Sequence, residues 1–157
     1  MKPLVIEEKE AKTLYKTASK EFKTVLENTF GKEYFAEDIT TKIKNFNDIL
    51  KISGKTLKEI LPYKVPKNKQ QRSLNALVKI QLITEVLNQG TILDFLNTNQ
   101  YKYLPWFKKV VGSDWVVGSY GYYSGSGAGF GAFYKSEKLA LFAGNTFLDI
   151  YKDYLPE

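Results

Sequence analysis

The chain has 157 residues, 43% of them hydrophobic, a net charge of +6, and neither cysteine nor histidine. This length and composition predict an ordered single domain over residues 1–157, with a possible internal boundary at 62–71. The missing residue types exclude disulfides, Cys–His or Ser–His–Asp nucleophiles and the usual zinc or copper sites, and no apolar run reaches membrane-spanning length.

Two amphipathic helices are predicted at the start of the chain. Apolar residues recur at i, i+3, i+4 and i+7 over residues 7–28, which predicts one continuous helix, and Gly31 is its expected stop. Lysine and glutamate fill the opposite side of this helix. A second helix is predicted to follow Asp38 and to end near Gly54, again with its apolar residues on one side.

The middle of the chain is also predicted to be helical. Thr56 and Glu59 have the spacing of a capping box, which predicts a short helix to Leu61. A basic linker bounded by prolines follows over residues 62–71. Residues 72–88 then carry two apolar stripes, which is typical of a helix in the centre of a core.

The last third of the chain changes character, because aromatic residues and glycines alternate there. Three strands are predicted near residues 103–110, 115–122 and 129–134, with turns at 112–114 and 124–128. Pro105 is expected at a sheet edge or a bulge, since it cannot donate to a ladder. These strands would form a small antiparallel meander.

The chain closes with a predicted helix from Ser136, its N-cap, to about residue 154. Its predicted buried stripe consists of Leu139, Phe142, Ala143, Phe147, Ile150 and Tyr154. Gly144 in the helix interior indicates close packing by another element. The predicted fold is therefore α+β, with a helical N-terminal half, a small antiparallel three-stranded sheet, and the C-terminal helix packed on the sheet.

The positive charge comes almost entirely from lysine, since Arg72 is the only arginine. Lysine suits phosphate contacts but lacks the bidentate fork that reads guanine, so sequence-specific DNA binding is not expected. Non-specific attraction to phosphate is one interpretation. The other is that an AT-rich genome has placed lysines on solvated helix faces, and the sequence favours this second interpretation.

The carboxylates do not form a pattern that indicates catalysis or metal binding. The aspartates are scattered at Asp38, Asp48, Asp94, Asp114, Asp149 and Asp153. A general base would have to be a tuned carboxylate, lysine or tyrosine, and a Mg²⁺ or Ca²⁺ site would need clustered oxygens. We therefore expect no enzymatic activity, no metal and no cofactor.

Two glycine-containing motifs resemble nucleotide-binding loops. Residues 53–56 read Ser-Gly-Lys-Thr, but the Walker pattern requires a further glycine where this chain has Ile49. Gly127, Gly129 and Ala132 match a dinucleotide fingerprint loosely, but strand-like residues follow where that fingerprint requires a helix. A helix terminator and a flexible hairpin tip, respectively, explain these residues better; a glycine-lined ligand contact remains the alternative for the second.

The candidate binding residues are aromatic and basic side chains of the predicted sheet. They are Tyr101, Tyr103, Trp106, Trp115, Tyr120, Tyr122, Tyr123 and Phe130, with Lys102, Lys108, Lys109 and Lys135. Aromatic rings that stack on bases, beside lysines that contact phosphates, are the ingredients of a single-strand-binding platform. The alternative is a small sheet whose aromatic residues pack under the last helix. Tyr120, Tyr122 and Tyr123 are expected to be the most exposed.

Three stretches of the C-terminal third resemble a known family. They are Asn-Gln-Tyr-Lys-Tyr-Leu-Pro-Trp-Phe at 99–107, Tyr-Lys-Ser-Glu-Lys-Leu-Ala-Leu-Phe-Ala-Gly at 134–144, and Thr-Phe-Leu-Asp-Ile-Tyr-Lys-Asp-Tyr-Leu at 146–155. The chain is similar there to an uncharacterised family of small proteins encoded by phages and prophages of Bacteroidetes-type bacteria. It departs from the family at 131–133, where Gly-Ala-Phe replaces a frequent Arg and Cys. The resemblance implies a mobile-element protein in the bacterial host cytoplasm or in the virion.

Residues and resemblance together predict a non-enzymatic, phage-derived binding protein. Its Gly/aromatic/Lys face would bind a nucleotide or single-stranded nucleic acid, which includes sequestration of a host signalling nucleotide. The alternative is a protein-interaction factor, either an inhibitor of a host protein or a minor virion component, since aromatic residues also mark protein interfaces. A membrane is not an expected partner.

Overall fold

The structure is a computed structural model that describes residues 6–35, 37–112, 114–123 and 132–156. The chain divides into two compact units, Met1–Asp38 and Ile39–Glu157. The predicted boundary segment 62–71 lies inside the second unit, and single-domain organisation of the whole chain stays a prediction. Within the described ranges, every helix lacks either the length or the apolar character that crossing a membrane requires.

The first unit contains helices α1 (Glu8–Thr17), α2 (Lys20–Phe30) and α3 (Lys32–Phe35). The prediction of one continuous helix over residues 7–28 is wrong. Its apolar periodicity continues across a break at Ala18, whose ψ of 147° is extended, and the Ser19 hydroxyl accepts a hydrogen bond from the Phe22 amide at 3.3 Å to cap α2. Gly31 ends α2 with a φ of 85°, as predicted.

The second unit begins with a 3-10 turn (Ile39–Lys42) and helix α4 (Phe46–Ser53). The predicted second helix is therefore shorter than expected at its start, because Asn45 and Asp48 form a capping box that sets the first turn of α4. Gly54 ends α4 in the left-handed conformation, with a φ of 68°.

The capping box of Thr56 and Glu59 is confirmed and starts the short helix α5 (Leu57–Ile60). The Thr56 amide donates to the Glu59 carboxylate at 2.7 Å. Helix α6 (Lys69–Asn88) begins three residues before the predicted Arg72, because Asn68 accepts a hydrogen bond from the backbone and caps it.

Helix α6 runs through the core of the second unit, as its two stripes predicted. The core consists of Ile43, Ile49, Ile80, Leu82, Ile83, Val86, Leu87, Ala132, Tyr134, Leu139, Ala140, Ala143, Phe147 and Tyr151. Two buried asparagines of α6, Asn75 and Asn88, each bond to the backbone of another segment with both amide atoms. Asn88 Nδ2 donates to the Phe133 carbonyl at 2.8 Å, and its Oδ1 accepts from the Lys135 amide at 3.0 Å.

The sheet consists of β1 (Lys102–Lys109) and β2 (Trp115–Tyr123), which pair antiparallel with a bulge between Trp106 and Phe107. The predicted third strand over 129–134 is not confirmed. Its described part, 132–134, contributes an isolated bridge in which Tyr103 and Tyr134 exchange backbone hydrogen bonds of 2.9 and 2.7 Å. Residues 129–131 and the predicted turn at 124–128 lie outside the described residues.

Pro105 lies one residue before the bulge and does not disturb the pairing with β2. Backbone hydrogen-bonding groups of an antiparallel strand alternate in direction along the chain. Tyr103 bonds to Tyr134, on the side away from β2, so Pro105 two residues later has its nitrogen on that same side. The position without an N–H group therefore lies on the side of β1 that does not pair with β2.

The C-terminal segment forms two helices, α7 (Glu137–Thr146) and α8 (Leu148–Tyr154), rather than the one predicted. Ser136 caps α7 as expected, since its hydroxyl accepts from the Leu139 amide at 3.3 Å. Phe147, at φ −115° and ψ 25°, interrupts the helix and changes the phase of the apolar stripe. Tyr151 is therefore buried, while Tyr154, which the periodicity placed in the buried stripe, is partly exposed.

Helix α7 packs closely on the sheet at Gly144, as its position predicted. A Cβ atom at Gly144 would lie 2.9 Å from Pro105 Cβ and 3.1 Å from Val117 Cγ2. Both neighbours belong to the sheet, and the proline ring has no rotamer through which it can withdraw. The glycine therefore sets how near α7 approaches β1 and β2.

Replacing Gly144 with alanine is expected to destabilise the second unit, although alanine is the better helix former. The overpacking costs about 1–3 kcal/mol, and the helix preference of alanine contributes about 1 kcal/mol in the opposite direction. Urea denaturation should show that the free energy of unfolding falls by up to about 2 kcal/mol. Asn145→Ala, at the exposed neighbouring position, is the control, and a gain in stability for Gly144→Ala would contradict the close approach.

Candidate functional site

The predicted tyrosines gather on one face of the hairpin formed by β1 and β2. Tyr103 lies opposite Tyr122 and Pro105 opposite Tyr120, and opposed side chains share a face of the sheet. The ring centroids of Tyr103 and Tyr120 are 5.7 Å apart, and those of Tyr101 and Tyr122 are 5.3 Å apart in an edge-to-face arrangement. We call Tyr101, Tyr103, Tyr120 and Tyr122 the tyrosine cluster.

Two residues of the tyrosine cluster pack against the core, and the other two are exposed. Tyr103 and Tyr120 pack against the hydrophobic core. The prediction that Tyr120 is among the most exposed tyrosines is therefore wrong, because its ring packs against the core and its hydroxyl against Glu137. The Tyr120 hydroxyl is hydrogen-bonded to the Glu137 carboxylate at the start of α7, and this bond raises the pKa of the phenol. Tyr101 and Tyr122 are 50% and 66% exposed. The cluster thus presents two tyrosine rings to solvent at one end of the hairpin.

Trp106 and Lys108 belong to the opposite face, where β2 has glycines. Trp106 is 60% exposed. A Cβ at Gly121 would be 3.6 Å from Trp106 Cε3, and one at Gly118 would be 3.3 Å from Lys108 Cδ. Both side chains therefore lie across the neighbouring strand, on space that the glycines leave open.

A cavity of about 280 Å³ lies where the hairpin meets α8. We call it the tryptophan cavity, because Trp106 and Trp115 both line it. Its other lining residues are Leu104, Pro105, Phe107, Ala132, Tyr151, Tyr154 and Leu155. The lining is almost wholly apolar or aromatic, so the cavity suits a flat or apolar group rather than an ion.

Trp115 is fixed in this cavity by its neighbours. Its indole Nε1 donates to the Pro156 carbonyl at 3.1 Å, and its backbone amide donates to Asp114 Oδ1 at 2.7 Å. The Asp114 carboxylate also pairs with Lys152 at 3.1 Å. The backbone hydrogen bond first, and then the bond to Lys152, hold the pKa of Asp114 below its usual value. Lys109 Nζ lies 5.6 Å from the Trp115 ring centroid, a cation–π arrangement at the edge of the cavity.

The four predicted lysines are not gathered at one site. Lys108 and Lys109 are exposed at the end of β1. Lys102 is fully buried. Its ammonium group donates to the Asn97 carbonyl at 3.1 Å and lies 5.3 Å from the centroid of the Phe95 ring. Lys102 is therefore not available to a ligand at the surface. Lys135 lies apart from the hairpin face, with its Nζ 3.3 Å from the Thr91 hydroxyl.

Two predicted binding residues cannot be placed in this way. The backbone of Tyr123 pairs with Lys102 at the end of β2, but its side chain lies outside what the structure describes. Phe130 lies outside the described residues together with the glycine-rich tip. The sequence does not predict that Tyr151 and Tyr154 line the tryptophan cavity. One continuous helix from Ser136 would place Tyr154 in the buried stripe and Tyr151 outside it.

Within the described ranges, His, Cys, Asp and Glu side chains form no group of three or more that could hold a metal ion. Comparisons with models of known protein families, with curated protein sequences and with solved structures found no match to this chain.

Proposed function

We propose that the protein is a non-enzymatic binding protein that takes single-stranded nucleic acid on the hairpin, with one base entering the tryptophan cavity. The observation that carries the proposal is the cavity of about 280 Å³ between Trp106 and Trp115, with Lys109 at its edge. Flat aromatic walls fit the face of a base, and stacking on an aromatic side chain contributes about 1–3 kcal/mol per base.

Two lysines at the end of β1, on opposite faces of the hairpin, suit a phosphate backbone. Lys108 and Lys109 are exposed on adjacent positions of β1, and the chain has a net charge of +6. Lysine ammonium groups attract phosphates without reading bases, which supports binding that varies little with sequence.

A strand fits these features better than a sequestered nucleotide does. Trp106 is 60% exposed, so it offers a stacking surface that is open to the solvent. The polar groups of two lining residues are already engaged, since Trp115 Nε1 bonds to Pro156 and the Tyr151 hydroxyl bonds to that of Tyr134. A site that discriminates one nucleotide needs several free hydrogen-bonding groups to read its base. Sequestration of a host signalling nucleotide remains the narrower form of the proposal.

A protein partner is the second candidate, and a different observation favours it. Tyr101 and Tyr122 are exposed as an edge-to-face pair, and Val110 and Val111 are exposed just beyond β1. Exposed tyrosines beside apolar side chains are typical of protein interfaces. The partner would be a host protein that is inhibited or a component of the virion. Phage origin and a location in the host cytoplasm or the virion belong to the proposal in both forms.

Trp106→Ala should weaken the binding of a fluorescent oligothymidylate by about 5- to 150-fold, because one stacked base is worth about 1–3 kcal/mol. Fluorescence anisotropy at about 50 and 200 mM salt measures this directly. The double variant Lys108→Gln/Lys109→Gln should lower the slope of log K against log salt by about 1.4, or about 0.7 for each phosphate contact with a single strand.

The matched control is Lys58→Gln/Lys64→Gln, which removes the same charge from exposed positions outside the hairpin. It should leave most of the affinity in place. Equal losses in both lysine pairs would contradict a localised site. Absence of binding at low salt, with the wild-type protein folded, would refute the nucleic-acid proposal and favour the protein partner.

A further inference from the structure

A second cavity lies within the first unit and takes no part in the proposed hairpin site. Its volume is about 430 Å³, and all three helices of the unit, together with the residues after α3, contribute to its lining. Helices α1 and α2 are separated by the break at Ala18–Ser19, and the Tyr15 hydroxyl of α1 bonds to the Glu27 carboxylate of α2. We call it the N-terminal cavity.

The N-terminal cavity has an aromatic wall. Tyr15 and Phe35 stack with ring centroids 4.2 Å apart and an interplanar angle of 13°, and Tyr34 packs edge-on against Phe35 at 5.0 Å. The Tyr15 hydroxyl donates to the Glu27 carboxylate on α2, which fixes the orientation of the ring and raises the pKa of the phenol. The wall is therefore held by contacts within the first unit itself.

Three lysines line the same cavity. Lys12 Nζ lies 4.6 Å from the centroid of the Tyr34 ring, and Lys23 Nζ lies 5.2 Å from that of Tyr15. Lys16 lies one turn after Lys12 on α1. Two ammonium groups are thus held over ring faces by cation–π attraction, at the wall of a cavity rather than on an open helix face.

The charge balance of the lining suits a dianion. Lys12, Lys16 and Lys23 contribute three positive charges and Glu37 contributes one negative charge, which leaves a net charge of +2. A phosphomonoester carries a charge of about −1.5 to −2 at pH 7 and has three strong acceptor oxygens. Aromatic rings and lysines within one cavity together match a ligand that carries both a flat ring and a phosphate.

We propose that the N-terminal cavity binds a nucleoside monophosphate. Its phosphate lies among the ammonium groups of Lys12, Lys16 and Lys23, and its base takes the place over the Tyr15 or Tyr34 ring that the Lys23 or Lys12 ammonium group occupies without ligand. This site is separate from the hairpin, so it stands or falls independently of the function proposed above.

The test is a calorimetric titration of the full chain with AMP at low salt, carried out in the Trp106→Ala/Lys108→Gln/Lys109→Gln variant so that the contribution of the hairpin is reduced. AMP should bind with one site per chain. Ribose 5-phosphate, which keeps the phosphate but lacks the base, should bind at least about tenfold more weakly, since stacking one base is worth about 1–3 kcal/mol. Equal affinities for the two ligands would overturn the assignment of the aromatic wall.

Lysine variants complete the test. Lys12→Gln/Lys23→Gln should weaken AMP binding by at least about tenfold, the effect of losing a charge-assisted contact. Lys20→Gln/Lys32→Gln removes the same charge from exposed positions of the first unit that do not line the cavity, and should change the affinity little. Lys12→Arg/Lys23→Arg should restore binding in large part. Equal losses in the two glutamine pairs, or no AMP binding to the folded protein, would overturn the proposal.

Discussion

Asn88→Ala is expected to destabilise the second unit by about 1–3 kcal/mol, the cost of leaving the buried Phe133 carbonyl without this hydrogen-bond partner. Asn88 is buried at the end of α6, and its amide holds the backbone on both sides of Tyr134. Tyr134 in turn pairs with Tyr103 of β1. The substitution should therefore loosen the attachment of this segment to the sheet as well as lower the free energy of unfolding in urea.

A similar residue on the same helix provides the comparison. Asn75 is equally buried and bonds to the backbone of Tyr63, accepting from its amide at 3.1 Å and donating to its carbonyl at 2.8 Å. Asn75→Ala should also be strongly destabilising, whereas the exposed Asn145→Ala should stay within about 0.5 kcal/mol of the wild type. An Asn88→Ala protein as stable as the Asn145 variant would show that the amide does not hold this segment.

Stability should fall steeply above pH 10, because the phenols of Tyr134 and Tyr151 are buried against each other. Their oxygens are 2.8 Å apart. Burial raises the pKa of Tyr134 to about 12, and burial raises that of Tyr151 in the same direction. A phenol with a folded-state pKa above its unfolded value contributes stability that is complete below pH 10 and is lost as the pH rises through the folded pKa. For Tyr134 alone the loss is about 2 kcal/mol at pH 12 and approaches about 3 kcal/mol above it, at about 1.4 kcal/mol per unit of pKa shift.

Urea denaturation between pH 9 and pH 12 should reveal this loss in the wild type. Tyr134→Phe/Tyr151→Phe should show a smaller decline. At pH 7 it should be nearly as stable as the wild type, because the two bonded hydroxyls are removed together and Thr84, which also bonds to the Tyr134 hydroxyl, keeps its hydrogen bond to the Ile80 carbonyl. Tyr122→Phe is the control, because it removes a phenol from an exposed position. Its stability should follow the wild-type curve, which shows that loss of an exposed phenol does not change the decline with pH. Parallel curves for the double variant and the wild type would contradict the assignment.

The sequence carries enough local information to predict most helix ends. Gly31, Gly54, the Thr56–Glu59 box and Ser136 act through their own backbone conformation or through hydrogen bonds a few residues away, so their roles depend little on the rest of the fold. The interruptions at Ser19 and Phe147 were not predictable from the same signals. Apolar spacing continues across both positions, and periodicity reports which residues are buried rather than whether the backbone is continuous.

The candidate site was predictable in composition but not in arrangement. The strand pattern placed Trp106, Trp115 and the tyrosines on a hairpin, and the structure has this hairpin. Lys102 was assigned to the binding set because it is adjacent to aromatic residues in the sequence. Its burial depends on Phe95 and Asn97, which no local pattern connects to it. The α8 side of the tryptophan cavity likewise follows from the change of helical phase at Phe147.

The position of Pro105 has a consequence for how the protein behaves at high concentration. The side of β1 that faces away from β2 lacks one amide donor there, since proline has none and its nitrogen points in that direction. A strand from another molecule that approached this side would meet a gap in the ladder. Proline at such positions is one of the devices by which sheet proteins discourage edge-to-edge aggregation. The ring that limits the approach of α7 at Gly144 thus also interrupts the row of amide donors along this side of β1.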